Sequence, residues 1–172
     1  LKVLTEIANE CFMPLGYGGG IRTSEDAKAV FDIGFEKVAV NSFVMENPTF
    51  LSELAETYGS QAIIASIDVK KNFFGHYRVR TRSGKQKTDY DPVVWAKKLE
   101  SLGAGEILLT SMDLEGTWAG FDLELVKSVT DTVNVPVIAH GGAGTVAHIG
   151  DVVKKAGASA VALGSMVVFQ KK

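Results

Sequence analysis

The sequence predicts an α/β fold, a (β/α)₈ TIM barrel present as a fragment of about six C-terminal strands. Two patterns carry that prediction: short apolar runs alternate with amphipathic segments, and a long-range internal repeat relates one end of the chain to the other.

In chain order, Leu1 to Glu10 reads as a helix already in progress. The segment after Pro14, near Leu15 to Tyr17, is the first strand. Thr23-Ser24-Glu25-Asp26 is a helix start signal for Ala27 to Ile33, and Gly34 closes that helix. Val38 to Asn41 is the second strand, and the near-continuously apolar Ala62 to Ile67, ended by Asp68, is the third. Runs apolar on both faces are typical of buried parallel strands. Lys70 to Lys87 is a polar, basic loop in which Tyr77-Arg78-Val79-Arg80-Thr81-Arg82 alternates in character before Ser83-Gly84-Lys85, a hairpin signature. Such a flap would close over an anionic ligand or remain a solvated ribbon. Asp91-Pro92 starts the helix Val93 to Leu102, closed by Gly103. Ile107 to Ser111, Val135 to Ala139 and Ala160 to Leu163 are the remaining strands.

Periodicity alone fits a closed barrel or an open doubly wound sheet, and the repeat favours the barrel. Gly141-Gly142 follows Gly18-Gly19 by 123 positions, and Gly164-Ser165 follows Asn41-Ser42 by the same 123. Gly157, Val161 and Ala162 then fall on Gly34, Val38 and Ala39, with Pro136 one residue out of step with Pro14. A recurring β-loop-α-β unit suits a barrel built from two similar halves. Eight strands close such a barrel. Residues 1–172 therefore read as a single partial barrel domain lacking the first units, with the missing strands expected before Leu1. A six-strand piece has two unpaired edges, so the fragment is expected to self-associate.

Composition narrows the function. The 172 residues are 46% hydrophobic and 22% charged, and 18 basic against 20 acidic side chains exclude a general polyanion-binding surface. Nucleic acid is not an expected partner. Cys11 is the only cysteine, which rules out an intrachain disulfide and fits a reducing cytoplasm. No apolar run approaches the roughly 18 residues of a membrane span. His76, His140 and His148 show no metal-ligand spacing, so no metal or other cofactor is expected.

The chemistry concentrates at strand ends. Tyr17-Gly18-Gly19-Gly20-Ile21 and His140-Gly141-Gly142-Ala143-Gly144 each lie between a strand and a helix, where backbone N–H groups can approach a phosphate closely. The alternative for either is a tight turn that binds nothing. The spacing is not that of the dinucleotide fingerprint. Asn41-Ser42 and Gly164-Ser165 add small polar groups beside the glycines, so a ligand phosphorylated at both ends would span the barrel mouth. Its middle would lie over carboxylates: Asp68 after an apolar run, and Asp113 and Glu115 after another. A carboxylate at a barrel strand end can act as general acid or base. Asp113 and Glu115 also read as turn caps. Trp95 reads as a packing residue, and Trp118 as one that can also line the mouth.

Gly18-Gly19-Gly20-Ile21-Arg22, Lys37-Val38, Glu46-Asn47-Pro48, Gly59-Ser60-Gln61, Gly103 through Ser111 (GAGEILLTS) and Gly141-Gly142-Ala143-Gly144 together resemble the cyclase subunit family of imidazole glycerol phosphate synthase, the HisF-like barrels of histidine biosynthesis. The resemblance runs over essentially the whole chain. It implies a lyase that uses ammonia from a glutaminase partner to convert a bisphosphorylated ribulosyl aminoimidazole substrate to imidazole glycerol phosphate. It implies Asp68 as a catalytic aspartate, Gly20, Asn41 and Ser42 as one phosphate site, and Gly116, Gly142, Gly164 and Ser165 as the other. Thr110, Asp113, Glu115 and His140 become candidate substrate contacts, and Lys37 with Glu106 an ammonia gate at the opposite barrel end. The family's other catalytic aspartate lies on the first barrel strand, outside this sequence, so the fragment alone is expected to be inactive. His140 stands where the biosynthetic enzyme usually has Ser, Glu115 where it has Asp, and Gly16-Tyr17 where it has smaller or β-branched residues. Glu10 to Pro14 with Tyr17, and Asp68 to Lys71 with Phe74-Gly75, instead resemble a branch implicated in glycosyl amidation of surface polysaccharide. An ammonia-conducting partner barrel and another phosphate-binding isomerase barrel are the alternative classes.

Overall fold

The computed structural model describes residues 2–169. Leu1, placed in the opening helix by the sequence, lies outside the described residues. Within them run α1 (Lys2–Glu10), β1 (Gly16–Gly18), α2 (Ser24–Asp32), β2 (Lys37–Val40), α3 (Ser42–Glu46), α4 (Thr49–Tyr58), β3 (Ile63–Lys71), β4 (Tyr77–Thr81), β5 (Gln86–Lys87), α5 (Pro92–Ser101), β6 (Glu106–Ser111), α6 (Leu123–Thr130), β7 (Val137–His140), α7 (Val146–Ala156), β8 (Ala160–Ala162) and α8 (Ser165–Val168). The six strands expected from the sequence form a parallel sheet in the order β1-β2-β3-β6-β7-β8. Helices alternate with them, and the whole is a partial (β/α)₈ barrel.

Local chemistry sets the elements. Thr23 caps α2 by accepting from the Asp26 N–H, while the Asp26 carboxylate accepts from the Thr23 N–H at 2.9 Å, a reciprocal box that satisfies two otherwise orphaned donors. Asp91 caps α5 by accepting from Val93 and Val94, with Pro92 in the first turn, where its missing N–H costs nothing.

The sheet is two-faced. Val38, Val40, Ile63, Ala65, Ile67, Val69, Ile107, Leu109, Val137 and Ala139 are buried in a core with Val30, Leu51, Leu54, Trp95, Leu99, Leu125, Val129 and Val152 of the helices. The alternate residues Lys37, Ala39, Ile64, Ser66, Asp68, Glu106, Leu108, Ile138 and His140 are only half-buried on the opposite, concave face. That face is the barrel interior.

β3 outruns its expected end because its last residues pair a second time. Asp68 to Lys71 form an antiparallel ladder with Arg80 to Tyr77, and β4 in turn pairs with β5. The hairpin read from Tyr77 to Lys85 therefore exists, and its tight turn holds Arg82, Ser83 and Gly84 at positive φ.

The repeat needs one correction. The sequence placed the one-residue step before the glycines. The backbone places it after them: the positive-φ pairs are Gly19-Gly20 and Gly141-Gly142, and the matching caps are Thr23 and Thr145. The extra residue enters the last helical turn. Phe35 N–H bonds back to Val30, five residues away, whereas Ala158 N–H bonds back to Val152, six away.

Candidate functional site

Asp68 stands at the centre of the strand C-terminal ends, opposite Thr110 in the β3–β6 register. Burial raises its pKa above the ordinary carboxylate value, and the Glu115 charge adds to the rise. Asn41, which donates Nδ2–H to Asp68 at 2.9 Å, works against both, as does His140. A carboxyl held this way releases and takes back a proton at a higher pH than a solvated aspartate.

On one side lies a cavity of about 760 Å³ lined by Gly18 to Arg22, Ala39 to Phe43, Glu46, Ser66, Asp68, Leu108 and, from the hairpin, Arg82, Ser83 and Lys85. Gly20, Asn41 and Ser42 are thus brought together with Asp68, as the sequence suggested. The hairpin is fastened over them: the Arg82 N–H donates to Ser42 Oγ at 2.8 Å, and Arg82 Nη2 meets Glu46 at 2.8 Å.

On the other side is a smaller cavity of about 130 Å³ lined by Glu115, Gly116, His140 to Ala143, Ala162, Gly164 and Ser165. Its walls are tight. Gly120 N–H donates to Gly142 O at 2.8 Å, and a β-carbon on Gly142 would lie 2.0 Å from Gly120 O. Trp118, at φ 64°, donates its indole N–H to Ser165 Oγ at 3.0 Å, which places it at the mouth rather than in the core. His140 Nδ1 is 3.2 Å from Thr110 Oγ1, linking this cavity to the strand beside Asp68.

Asp113 lies outside both linings. It accepts from the Lys71 N–H at 2.8 Å and sits 3.9 Å from Lys70 Nζ, so it roots the hairpin. Lys37 and Glu106 form an ion pair at the opposite strand ends. Glu106 pairs in register with Ile64, four residues before Asp68, which sets the pair roughly 13 Å from the acid at the rise of an extended strand. Among the described residues, no group of three or more His, Cys, Asp or Glu could hold a metal ion, and no helix is long and apolar enough to cross a membrane.

Sequence reasoning missed how β4 is held. Tyr77 donates its hydroxyl to Asp122 at 2.8 Å, and its pKa is pushed far up, by burial first and then by that carboxylate. The sequence left Tyr77 to Arg82 as either a closing flap or a solvated ribbon, and did not single out Arg80, which is buried. The alternation was the available signal, since alternate residues of a ribbon must face opposite sides.

Comparison with known proteins places this geometry in context. The family described as histidine biosynthesis protein matches residues 1–172. The chain is 42% identical over 171 residues to a Pseudomonas aeruginosa protein provisionally named imidazole glycerol phosphate synthase subunit hisF2, covering 99% of this chain and 68% of that one. It is 46% identical over 151 residues to imidazole glycerol phosphate synthase subunit HisF of Alkaliphilus metalliredigens, covering 88% of this chain and 60% of that one. It is 45% identical over 171 residues to the subunit of the same name in Chlorobium phaeovibrioides, covering 99% and 68%. The chain therefore spans about two thirds of the length of these relatives.

Proposed function

The chain belongs to the histidine biosynthesis protein family, and from that premise we propose that it is part of a cytoplasmic cyclase subunit of imidazole glycerol phosphate synthase. In this reading a glutaminase partner supplies ammonia, and the substrate is a bisphosphorylated ribulosyl aminoimidazole converted to imidazole glycerol phosphate. The observation that carries it is one acid between two glycine-walled cavities: Asp68 lines the larger, and Glu115 and His140, which both act on its charge, line the smaller.

The residues divide the work by position. Gly20, Asn41 and Ser42 take one phosphate of the substrate, and Gly116, Gly142, Gly164 and Ser165 the other, so the reacting middle is held over Asp68. Asp68, its pKa raised by burial, moves the proton as the ring closes. Asn41 orients its carboxyl, and Thr110, His140 and Glu115 touch the substrate. Lys37 and Glu106 guard the far end of the barrel interior, from which ammonia reaches the same face.

A second reading has one specific observation in its favour. The smaller cavity carries His140 and Glu115, an imidazole and a longer carboxylate beside the phosphate glycines. They depart from the Ser and Asp usual in the biosynthetic enzyme and so favour a different substrate, consistent with a barrel that passes ammonia to glycosyl amidation of surface polysaccharide.

In the full-length protein supplied with ammonia, Asp68→Asn removes the proton acceptor and keeps the shape. Turnover is expected to fall by about a thousandfold or more with little change in bisphosphate affinity. Turnover close to wild type would take Asp68 out of the mechanism.

A further inference from the structure

The hairpin carries a buried arginine whose innermost donor has no partner. Arg80 is 7% exposed, and its Nε has no hydrogen-bond partner. Among the described residues its guanidinium makes no ion pair either. Its neighbours in the alternating row differ: Arg78 donates to Tyr77 O, and Arg82 pairs with Glu46. Burying a guanidinium N–H without an acceptor is disfavoured, and buried donors in native proteins nearly always have partners.

The register says where that partner should come from. Arg80 is directly opposite Asp68 in the β3–β4 ladder, and residues opposite one another in an antiparallel pair project to the same face. Arg80 therefore belongs to the concave face that the helices leave uncovered. Asp68 across the ladder and Arg82 two residues on both line the larger cavity. Arg80 stands just behind that lining; Asp68 itself is engaged by Asn41, and among the described residues no side-chain hydrogen bond or ion pair joins it to Arg80.

We propose that Arg80 is a specificity-determining residue whose guanidinium takes an anionic oxygen of the phosphorylated ligand seated in the Gly20, Asn41 and Ser42 cavity. A planar fork of donors suits phosphate oxygens better than a lysine's point charge does. The hairpin then both roofs the site and supplies its buried positive charge. This assignment rests on the reading of that cavity as a phosphate site and adds to it the residue that selects charge.

The test uses the full-length protein and inorganic phosphate, followed through the backbone amides of Gly20 and Ser42 together with thermal unfolding of the unliganded form. Arg80→Met is expected to weaken phosphate binding at this cavity at least tenfold while leaving the unliganded midpoint equal or higher, because an unpaired buried charge has been removed. Arg80→Lys is expected to fall between the two in affinity. Unchanged affinity with a lowered midpoint would overturn the assignment, since it would mean that Arg80 pairs with a carboxylate elsewhere in the full-length chain. No response of wild-type Gly20 or Ser42 to phosphate would overturn the reading of the cavity and the Arg80 assignment with it.

Discussion

The two halves of the repeat use the same residue for different reasons. At the first site Gly19 and Gly20 have φ of 119° and 75°, and a β-carbon on either would meet nothing within 4 Å. Glycine is needed there for its backbone angle alone. At the second site Gly141 and Gly142 have φ of 93° and 100°, and their β-carbons would press to 2.5 Å from Ser111 O and 2.0 Å from Gly120 O. Here glycine is needed for clearance as well. The first loop borders an open cavity roofed by a basic hairpin. The second is packed against the Gly116 to Gly120 loop and borders a small cavity with an acidic wall. Equal sequence signals thus stand for unequal tolerances, because a glycine's surroundings come from distant parts of the chain.

The largest expected difference between the sites is in stability. In the full-length protein Gly142→Ala is expected to cost about 4 kcal/mol or more, because backbone must move to admit the methyl group. Gly20→Ala is expected to cost about 1 kcal/mol, the price of a positive φ for an L-residue. Urea unfolding midpoints of the two variants measure this, and equal losses would erase the distinction. The next difference is in ligand response. Phosphate titration followed by backbone NMR is expected to shift Gly20, Asn41 and Ser42 as well as Gly142, Gly164 and Ser165, with the first cluster responding at lower concentration because Arg22, Arg82 and Lys85 there outnumber Glu46 and Asp68, while Glu115 borders the other with no Lys or Arg in its lining. Silence at both would sink the bisphosphate reading.

The smallest effect concerns the acid they share. The folded-state pKa of Asp68 is raised, so the native protein holds this proton more tightly than the unfolded chain does, and the associated stability is lost as pH rises through the folded value. Glu115→Gln removes a neighbouring negative charge. The protonation limb of the full-length enzyme's pH profile is therefore expected to move to lower pH, and a limb that stays in place would detach the second cavity's wall from Asp68.

Much of the architecture was legible in the sequence because each strand carries its own signal. Ile107 to Leu109 is apolar on both faces, and Asp91-Pro92 and Thr23 through Asp26 mark helix starts by chemistry that is local. The grouping of Gly20, Asn41, Ser42 and Asp68 followed from their shared place at strand ends. What escaped was set by long-range contact. Asp113 reads like a site carboxylate in sequence, yet its direction is decided by the Lys71 N–H, 42 residues away in the chain. Arg80 in sequence is one of several alternating charges on a ribbon that fits either a flap or a solvated hairpin, and only the pairing of β4 with β3 fixes its face.

The extra residue in the last turn of α7 also bears on how the barrel can be recombined. Val30 and Val152 remain matched and buried ahead of it, so the insertion falls after each helix has committed its apolar face, and the chain resumes in step at Gly34 and Gly157. The stretch from strand through cap to the final valine, and the stretch from the closing glycine onward, behave as cassettes whose lengths need agree only internally. A chimera that exchanges the two units is therefore best spliced between Val30 and Gly34 and between Val152 and Gly157, where nature has already absorbed a change of length without turning a helix about its axis.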